Sequence, residues 1–420
     1  MTQTFGSGLS PQTWPFDWKL LPSTAYLVGG AVRDGLLQRE SEYVDLDFVL
    51  LDQAVNTAQR IANYYKAGFV LLDADRQIAR VVFANATVDF AQAEGNTLDT
   101  DLQRRDFTIN AIAYHPVTQT LVDPHQGQTD IQLGIIRMIS PQNLQDDPLR
   151  LLRGYRQAAQ LQFTIEPQTR ITLRQLAPHL RQVAVERVQT ELGYLLQTQK
   201  GTIWLRQSWE DGLIAHWFPS ACKNWTTLMR IDPVAGELSQ HWPSLQTELS
   251  QPLRDTLKTS QLGLVKLACL LTPEPPVAEV ELTALKYSKA EIRGAITLIR
   301  GFNQVQHLNP DQLSLKQLYF LFRDLGYLFP ALAVWLIGSG IPKQSIIPLM
   351  QRYFTPNDPV AHPQPLISGT ELMAVLQLRP GPQIGQLLLE LQLAQLEGLI
   401  SSPEAAIDWV KQRFIQRESS

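Results

Sequence analysis

The chain has 420 residues, enough for roughly two to four domains, and its 44% apolar and 18% charged residues are the balance of a globular protein with a sizeable core. Its 36 Lys and Arg face 40 Asp and Glu, and the net charge of −4 excludes a generically basic nucleic-acid coat while allowing a local basic patch. Cys222 and Cys269 are the only cysteines, which excludes a disulfide scaffold or a cysteine-rich zinc site and points to a reducing, cytoplasmic setting.

Residues 1–22 lack the apolar run of a secretion signal. Tyr26-Leu27-Val28 predicts a short strand, and Gly29-Gly30 turns it into a helix carrying Val32, Leu36 and Leu37. In the next strand Val44, Leu46, Phe48 and Leu50 face one way, and Asp45 and Asp47 the other. Ala54, Val55, Ala58, Ile61, Ala62 and Tyr65 recur at helical spacing, with Gly68 as the expected stop. Strands follow near 69–72, 78–83 and 87–90, giving a small α+β domain that ends near residue 140.

After Ser140-Pro141 helical periodicity takes over. Between Arg137 and Arg187 eight Arg face four acids (Asp146, Asp147, Glu166 and Glu186), a local +4 within an acidic chain. The longest uncharged run, between Asp324 and Lys343, has an apolar centre (Tyr327 to Ile337) too short to span a bilayer, and predicts a buried helix. No membrane association is expected.

Asp45-Leu46-Asp47 puts two carboxylates on one strand face, within reach of one or two divalent cations. Alone, the pair reads as polar residues on the wet face of an edge strand. Upstream, Gly29-Gly30-Ala31-Val32-Arg33-Asp34 supplies a strand, a tight turn and a helix start, a phosphate seat that Arg33 can complete. Together the two features are specific.

The run from Gly29 to Leu37, followed by Asp45-Leu46-Asp47, resembles the first motif of the class II tRNA nucleotidyltransferase and bacterial poly(A) polymerase family, within the polymerase-beta nucleotidyltransferase superfamily. Arg104-Arg105-Asp106-Phe107-Thr108-Ile109-Asn110-Ala111 resembles the second motif. Asp146-Asp147-Pro148-Leu149-Arg150, continuing to Arg153 and Arg156, and Glu186-Arg187 with Glu191 resemble the next two. Ile367-Ser368-Gly369, Pro380-Gly381-Pro382 and Ile384-Gly385 are similar to the tail of the tRNA-acting members. The resemblance implies an α+β nucleotidyltransferase head (1–140) with a small mixed or antiparallel sheet, followed by an all-α neck that reads the base (141–205), an RNA-binding body (206–300) and a tRNA-binding tail (301–420).

It also implies roles. Asp45 and Asp47 would hold two Mg2+ ions, which lower the pKa of the RNA 3′-hydroxyl and neutralise the triphosphate during in-line attack. Gly30 and Arg33 would hold the triphosphate, with Asp89 open as a third carboxylate. Arg105 would contact nucleotide and Asp106 could accept from the ribose hydroxyl; the alternative is an exposed ion pair capping a helix over Phe107–Tyr114. Asp147-Pro148 fits a helix start, Asp as N-cap and Pro at the first position. Capping leaves unexplained Arg150, Arg153 and Arg156, a stripe with no acid at i±4 inside that helix, which should repel unless an anion satisfies it. In the family the positions of Asp147 and Arg150 bond the Watson–Crick edge of the incoming base, and Arg153 and Arg156 would reach the triphosphate. Glu186-Arg187 would buttress that helix, and Asp146 stands where the family usually has Glu.

Three activities share these motifs: addition of the whole CCA end of tRNA, of part of it, or of poly(A). The mildly acidic stretch from Gly68 to Arg76 and a C-terminus of mixed charge disfavour poly(A) synthesis. The link from Ala91 to Gln103 is shorter than the flexible loop that terminal-A addition usually carries, which favours CC addition over full CCA addition. CTP is then the expected substrate, with ATP if the whole CCA is built, and the tRNA acceptor arm the expected partner. No protein partner is evident. A catalytically silent tRNA-binding relative would have lost Asp45, Asp47 or the Arg stripe, and all are present.

Overall fold

The strand β2 that carries the two carboxylates is the middle of a seven-stranded mixed sheet. In chain order the sheet region contains β1 (Ala25–Val28), α1 (Gly30–Leu36), β2 (Val44–Leu50), α2 (Ala54–Tyr65), β3 (Gly68–Asp73), β4 (Ile78–Val82), β5 (Ala86–Gln92), α3 (Leu98–Gln103), β6 (Ala113–His115) and β7 (Thr120–Val122). The spatial order is β3-β4-β5-β2-β1-β6-β7, with β2 and β5 parallel and every other pair antiparallel. The computed structural model describes residues 9–418 except 41–42, 199, 254–258, 307 and 309, in two compact units, 1–216 and 217–420.

Alternation explains why β2 sits centrally with its acids outward. Leu46, Phe48 and Leu50 are buried, while Asp45 is exposed and Asp47 half-buried. Phe48 stacks on Phe90 of β5 at 5.5 Å, and Trp14 and Phe16 from the N-terminal segment close over them at 5.1 and 5.9 Å from Phe48. The carboxylates therefore stand on a strand whose opposite face is fixed by an aromatic cluster.

Two local expectations change. Helix α2 ends on Lys66 in the left-handed region (φ 54°), and Gly68 instead opens β3. No helix spans 107–114: Thr108–Asn110 form one 3-10 turn, and Ala113 to His115 pair with β1 as β6. Ala111, Ile112, Ala113 and Tyr114 are all buried, a continuous apolar run whose pattern suits either element, and pairing with β1 decides it.

The first unit continues with α4 (Gly127–Leu133), β8 (Ile135–Ile136), α5 (Pro141–Asp146), α6 (Leu149–Leu161), β9 (Thr164–Ile165), α7 (Pro167–Leu176), α8 (Val185–Gln197) and α9 (Thr202–Glu210). One short strand interrupts the helices after 140: β9 pairs in parallel with β8. Helix α6 packs on α8 and α9, and its Leu151, Leu152, Tyr155 and Ala159 are buried. That leaves its Arg150, Arg153 and Arg156 edge to face the site.

Among the described residues the elements of the second unit are all helices, from α10 (Trp225–His241) to α20 (Pro403–Glu418), joined by loops. Its helical run Leu315–Gly338 is long and apolar enough to cross a membrane by composition, with mean hydropathy 1.5. It breaks at Gly326, carries Arg323 and Asp324, and is 72% buried inside the protein, as a core element is. The last three helices enclose a separate small core around Leu372, Leu387, Ala406 and Val410.

Candidate active site

A cavity of about 650 Å³ in the first unit is lined by Gly30, Arg33, Asp45, Asp47, Arg105, Asp147, Arg150, Arg153 and Arg156 together. These nine residues come from α1, β2, the turn after α3, the α5–α6 junction and α6, so the fold gathers every expected site residue.

Gly29 makes the close approach possible. Its φ of 72° is open to glycine, and a Cβ there would sit 3.3 Å from the Arg105 guanidinium and 3.5 Å from Asp47. Gly30 begins α1, whose first-turn N–H groups have no carbonyl partner within the helix. Arg33, mostly buried, is held in a fork by Asp34 at 3.0 Å twice and donates from Nη1 to Asn110 Oδ1 at 2.8 Å.

Asp45 accepts from Thr87 Oγ1 at 2.6 Å, while Asp47 lies in register beside Asp89 of β5. Burial first, then Asp45 and Asp89, push the Asp47 carboxyl up to about 6. Asp89 is taken by Arg80, which reaches both its oxygens at 2.6 and 2.7 Å. Among the described residues no three His, Cys, Asp or Glu side chains form a metal-binding group. A pair of hard carboxylate oxygens with under-compensated charge does fit Mg2+, which binds through one or two carboxylates and completes its shell with phosphate and water. Asp45 and Asp47 are the residues that would hold it.

The arginine stripe does not lack acidic partners, as its sequence spacing suggested. They come from other elements: Arg153 pairs with Asp106 at 2.9 Å, and Arg156 with Glu191 at 2.5 Å. Arg150 Nη1 donates to the backbone carbonyls of Arg104 (2.6 Å) and Asn143 (3.1 Å), and its Nε stands 3.9 Å from Asp147. Arg105 is clamped by buried Asp101 at 2.9 Å, and Asp101 also takes Arg104 at 3.1 Å.

Two carboxylates depart from the expected geometry. Asp106 is only 5% exposed and bonded by Phe107 N, Asn110 Nδ2 and Arg153, so it works as an anchor and is poorly placed to accept from a ribose. Asp147 is no helix cap: Pro148 is the N-cap of α6, no side chain caps it, and only the Asp147 carbonyl takes Arg150 N. The Asp147 carboxylate faces the cavity and meets Arg187 at 3.3 Å, so the buttress expected from Glu186-Arg187 is made by Arg187 and by Glu191. Asp146 accepts from Gln142 at 2.8 Å and does not line the cavity.

Sequence reasoning assigned no role to Asn110, Asp101, Asn143, Gln157 or Arg80. Asn110 stood inside the quoted second motif, and Asp101 stands three and four residues before the two arginines it clamps, the spacing of a helical ion pair. Arg80 faces Asp89 across the β4–β5 hairpin, a register that an unaligned sequence does not display.

Comparison with known proteins gives three family matches: the poly A polymerase head domain over residues 25–97 and 89–137, an RNA- and SrmB-binding site of polymerase A over 162–224, and tRNA nucleotidyltransferase domain 2 over 255–410. The CC-adding tRNA nucleotidyltransferase of Synechocystis sp. is 45% identical over 403 residues, 96% of each chain. The A-adding tRNA nucleotidyltransferase of Deinococcus radiodurans is 31% identical over 94% of this chain and 96% of its own. Among solved structures the fold is similar to the Bacillus stearothermophilus CCA-adding enzyme in complex with CTP, with a TM-score of 0.69 at 22% identity over 98% of this chain and 97% of that one.

Proposed function

The chain belongs to the tRNA nucleotidyltransferase and poly(A) polymerase family, and from that premise we propose that it adds two cytidylates to the 3′ end of tRNA and stops there. The observation that carries this reading is the convergence of all nine expected residues on one cavity. Two further features favour CC over CCA addition. The link after β5 is short and folded, with Glu94 pairing Arg104 at 2.5 Å and Asp101 clamping Arg105. The 45% identical relative, matched over nearly its whole length, is itself a CC-adding enzyme.

Each residue then has work to do. Gly30 and Arg33 bind the triphosphate from one side and Arg153 and Arg156 from the other, as charge-assisted donors. Asp147 accepts from the exocyclic amine of cytosine, and Arg150 donates to its N3 and O2 acceptors, so protein takes the place of a template. Asp45 and Asp47 would hold Mg2+, whose charge would neutralise phosphate oxygens and lower the pKa of the 3′-hydroxyl. Arg105 orients the nucleotide. The acceptor arm is engaged through its phosphates and shape by the helices after residue 140. The division into head (1–140), neck (141–205), body (206–300) and tail (301–420) is part of this proposal.

The test is product length. A tRNA lacking its 3′ end is incubated with CTP, ATP or both. CC addition predicts two added nucleotides with CTP and no growth on adding ATP. A third nucleotide with both would mean full CCA synthesis, growth by ATP alone on tRNA ending in CC would mean A addition, a long A tract would mean poly(A) synthesis, and no product would mean a silent relative.

A further inference from the structure

Asn143 does not line the cavity, yet its hydrogen bonds reach the backbone of Arg105 and the guanidinium of Arg150, which do. It is 8% exposed, in the first turn of α5, where its N–H bonds the Ser140 hydroxyl that caps the helix. Its Nδ2 donates to two carbonyls on the far side of one residue, Gln103 O at 2.8 Å and Arg105 O at 2.7 Å. The carbonyl between them, Arg104 O, accepts from Arg150 Nη1 at 2.6 Å. The backbone carbonyl of Asn143 itself takes the same Nη1 at 3.1 Å. Three consecutive carbonyls of the 103–105 turn are thus bonded by two side chains, Asn143 holding the flanking two and Arg150 the middle one.

We propose that Asn143 is a positioning residue for base selection, fixing the Arg150 guanidinium in the one orientation that suits cytosine. This rests on the reading of Asp147 and Arg150 as the base-reading pair. With Nη1 committed to two backbone acceptors, the guanidinium cannot swing, and only its remaining N–H groups are left for a base in the cavity. A purine base edge, or a uracil with its carbonyl against Asp147, would need that guanidinium to move. Without the Asn143 amide, the Gln103 and Arg105 carbonyls lose their donor, the turn relaxes, and Arg150 gains rotamers. The price falls on selectivity, since a looser donor set tolerates wrong bases.

The experiment compares kcat/KM for CTP, UTP and ATP on tRNA lacking CCA, in wild type, Asn143→Asp and Asn143→Ala, with thermal melts alongside. Asn143→Asp keeps the shape and the backbone bonds but places an acceptor against two carbonyls. The expected result is a fall of about tenfold in the CTP:UTP and CTP:ATP ratios, the size of one lost polar contact. In an Arg150→Ala background the same change should leave the ratios where Arg150→Ala alone puts them. A uniform loss for all three nucleotides, with ratios unchanged, would mean that Asn143 only supports the fold and would overturn the proposal. If Asn143→Asp does not fold, Asn143→Ser, which keeps one donor, is measured with the same criterion. A wild type that shows no preference for CTP would instead sink the functional reading, so the two failures are distinguishable.

Discussion

Arg153 on α6 and Asp106 on the turn before β6 meet at 2.9 Å although 47 residues separate them, and Asp106 is nearly buried. Burial would push the Asp106 carboxyl up, but Arg153, then the Asn110 amide, the Phe107 N–H and Arg150 more than reverse this and hold it at about 2. One arginine therefore faces the cavity and also neutralises a buried charge. Arg153→Ala should cost on the order of 3 kcal/mol, because it leaves that carboxylate unpaired. Arg153→Ala combined with Asp106→Asn should recover part of the melting temperature but none of the activity. If the double variant melts no higher than the single one, the pair is not what holds this junction.

The same pair sets an acid limit. Since the folded pKa of Asp106 lies below its ordinary value of 3.8, the stabilisation is complete above about pH 4 and is lost as pH falls from there through 2. It should amount to about 2–3 kcal/mol. Chemical denaturation between pH 2 and 6 for wild type and Asp106→Asn measures it: the two stability curves should converge towards pH 2.

Asp47 runs the opposite way. Its carboxyl is pushed up to about 6 by burial, Asp45 and Asp89, so in the metal-free protein ionising it is unfavourable. A raised folded pKa means that proton binding stabilises the fold, and that this contribution fades as pH rises through 6. Asp47→Asn should therefore melt higher than wild type at pH 8 without divalent cation, by on the order of 2–3 kcal/mol, and the gain should shrink below pH 5. Nucleotide transfer should be abolished at every pH. An equal or lower melting temperature at pH 8 would show that the carboxylates are not in conflict.

What could be read in the sequence was whatever period and short motifs encode. The alternation of Val44 to Leu50 placed Asp45 and Asp47 on one face, and the sheet obeys it. The three-residue recurrence of Arg150, Arg153 and Arg156 placed them on one edge of a helix, and the helix is there. Long-range partners were not legible. Asp106, Glu191 and the carbonyl of Arg104 reach the stripe from three other elements, so a search at i±4 could not find them. The apolar run after Phe107 misled for a related reason: helix and buried strand share that pattern, and only the neighbour β1 decides between them. At Asp147-Pro148 the cap signature was present but unused, because the carboxylate turns to the cavity and to Arg187.

Asn110 joins the two halves of the cavity. Its Oδ1 accepts from Arg33, and its Nδ2 donates to Asp106 and to Gln157 on α6, each within 2.9 Å. Asn110→Ala should release Arg33 and raise KM for CTP about tenfold, more than it lowers kcat. Gln157→Leu removes one acceptor and leaves the Arg33 contact intact, so it should raise KM less. Steady-state kinetics on both variants check this, and an equal effect of the two would remove Arg33 from the explanation.

The position of Asp147 decides whether protein replaces a template. Its carboxylate does not cap α6, and only a third of its side chain is exposed, beside Arg150 at 3.9 Å and Arg187 at 3.3 Å. Cytosine would offer its amine to this acceptor, whereas uracil would set a carbonyl oxygen against it. Two acceptors facing each other in a desolvated site cost about 1–3 kcal/mol, and more when one is charged, which is at least tenfold in discrimination. Asp147→Ala should therefore reduce the preference for CTP over UTP at least tenfold while leaving the melting temperature within a few degrees, because no helix-capping bond is lost. Arg156→Ala should do the reverse, weakening the binding of CTP and UTP alike through their shared triphosphate. If Asp147→Ala is slow but keeps full preference for CTP, the carboxylate serves only to hold Arg150 and Arg187, and base reading falls to Arg150 alone.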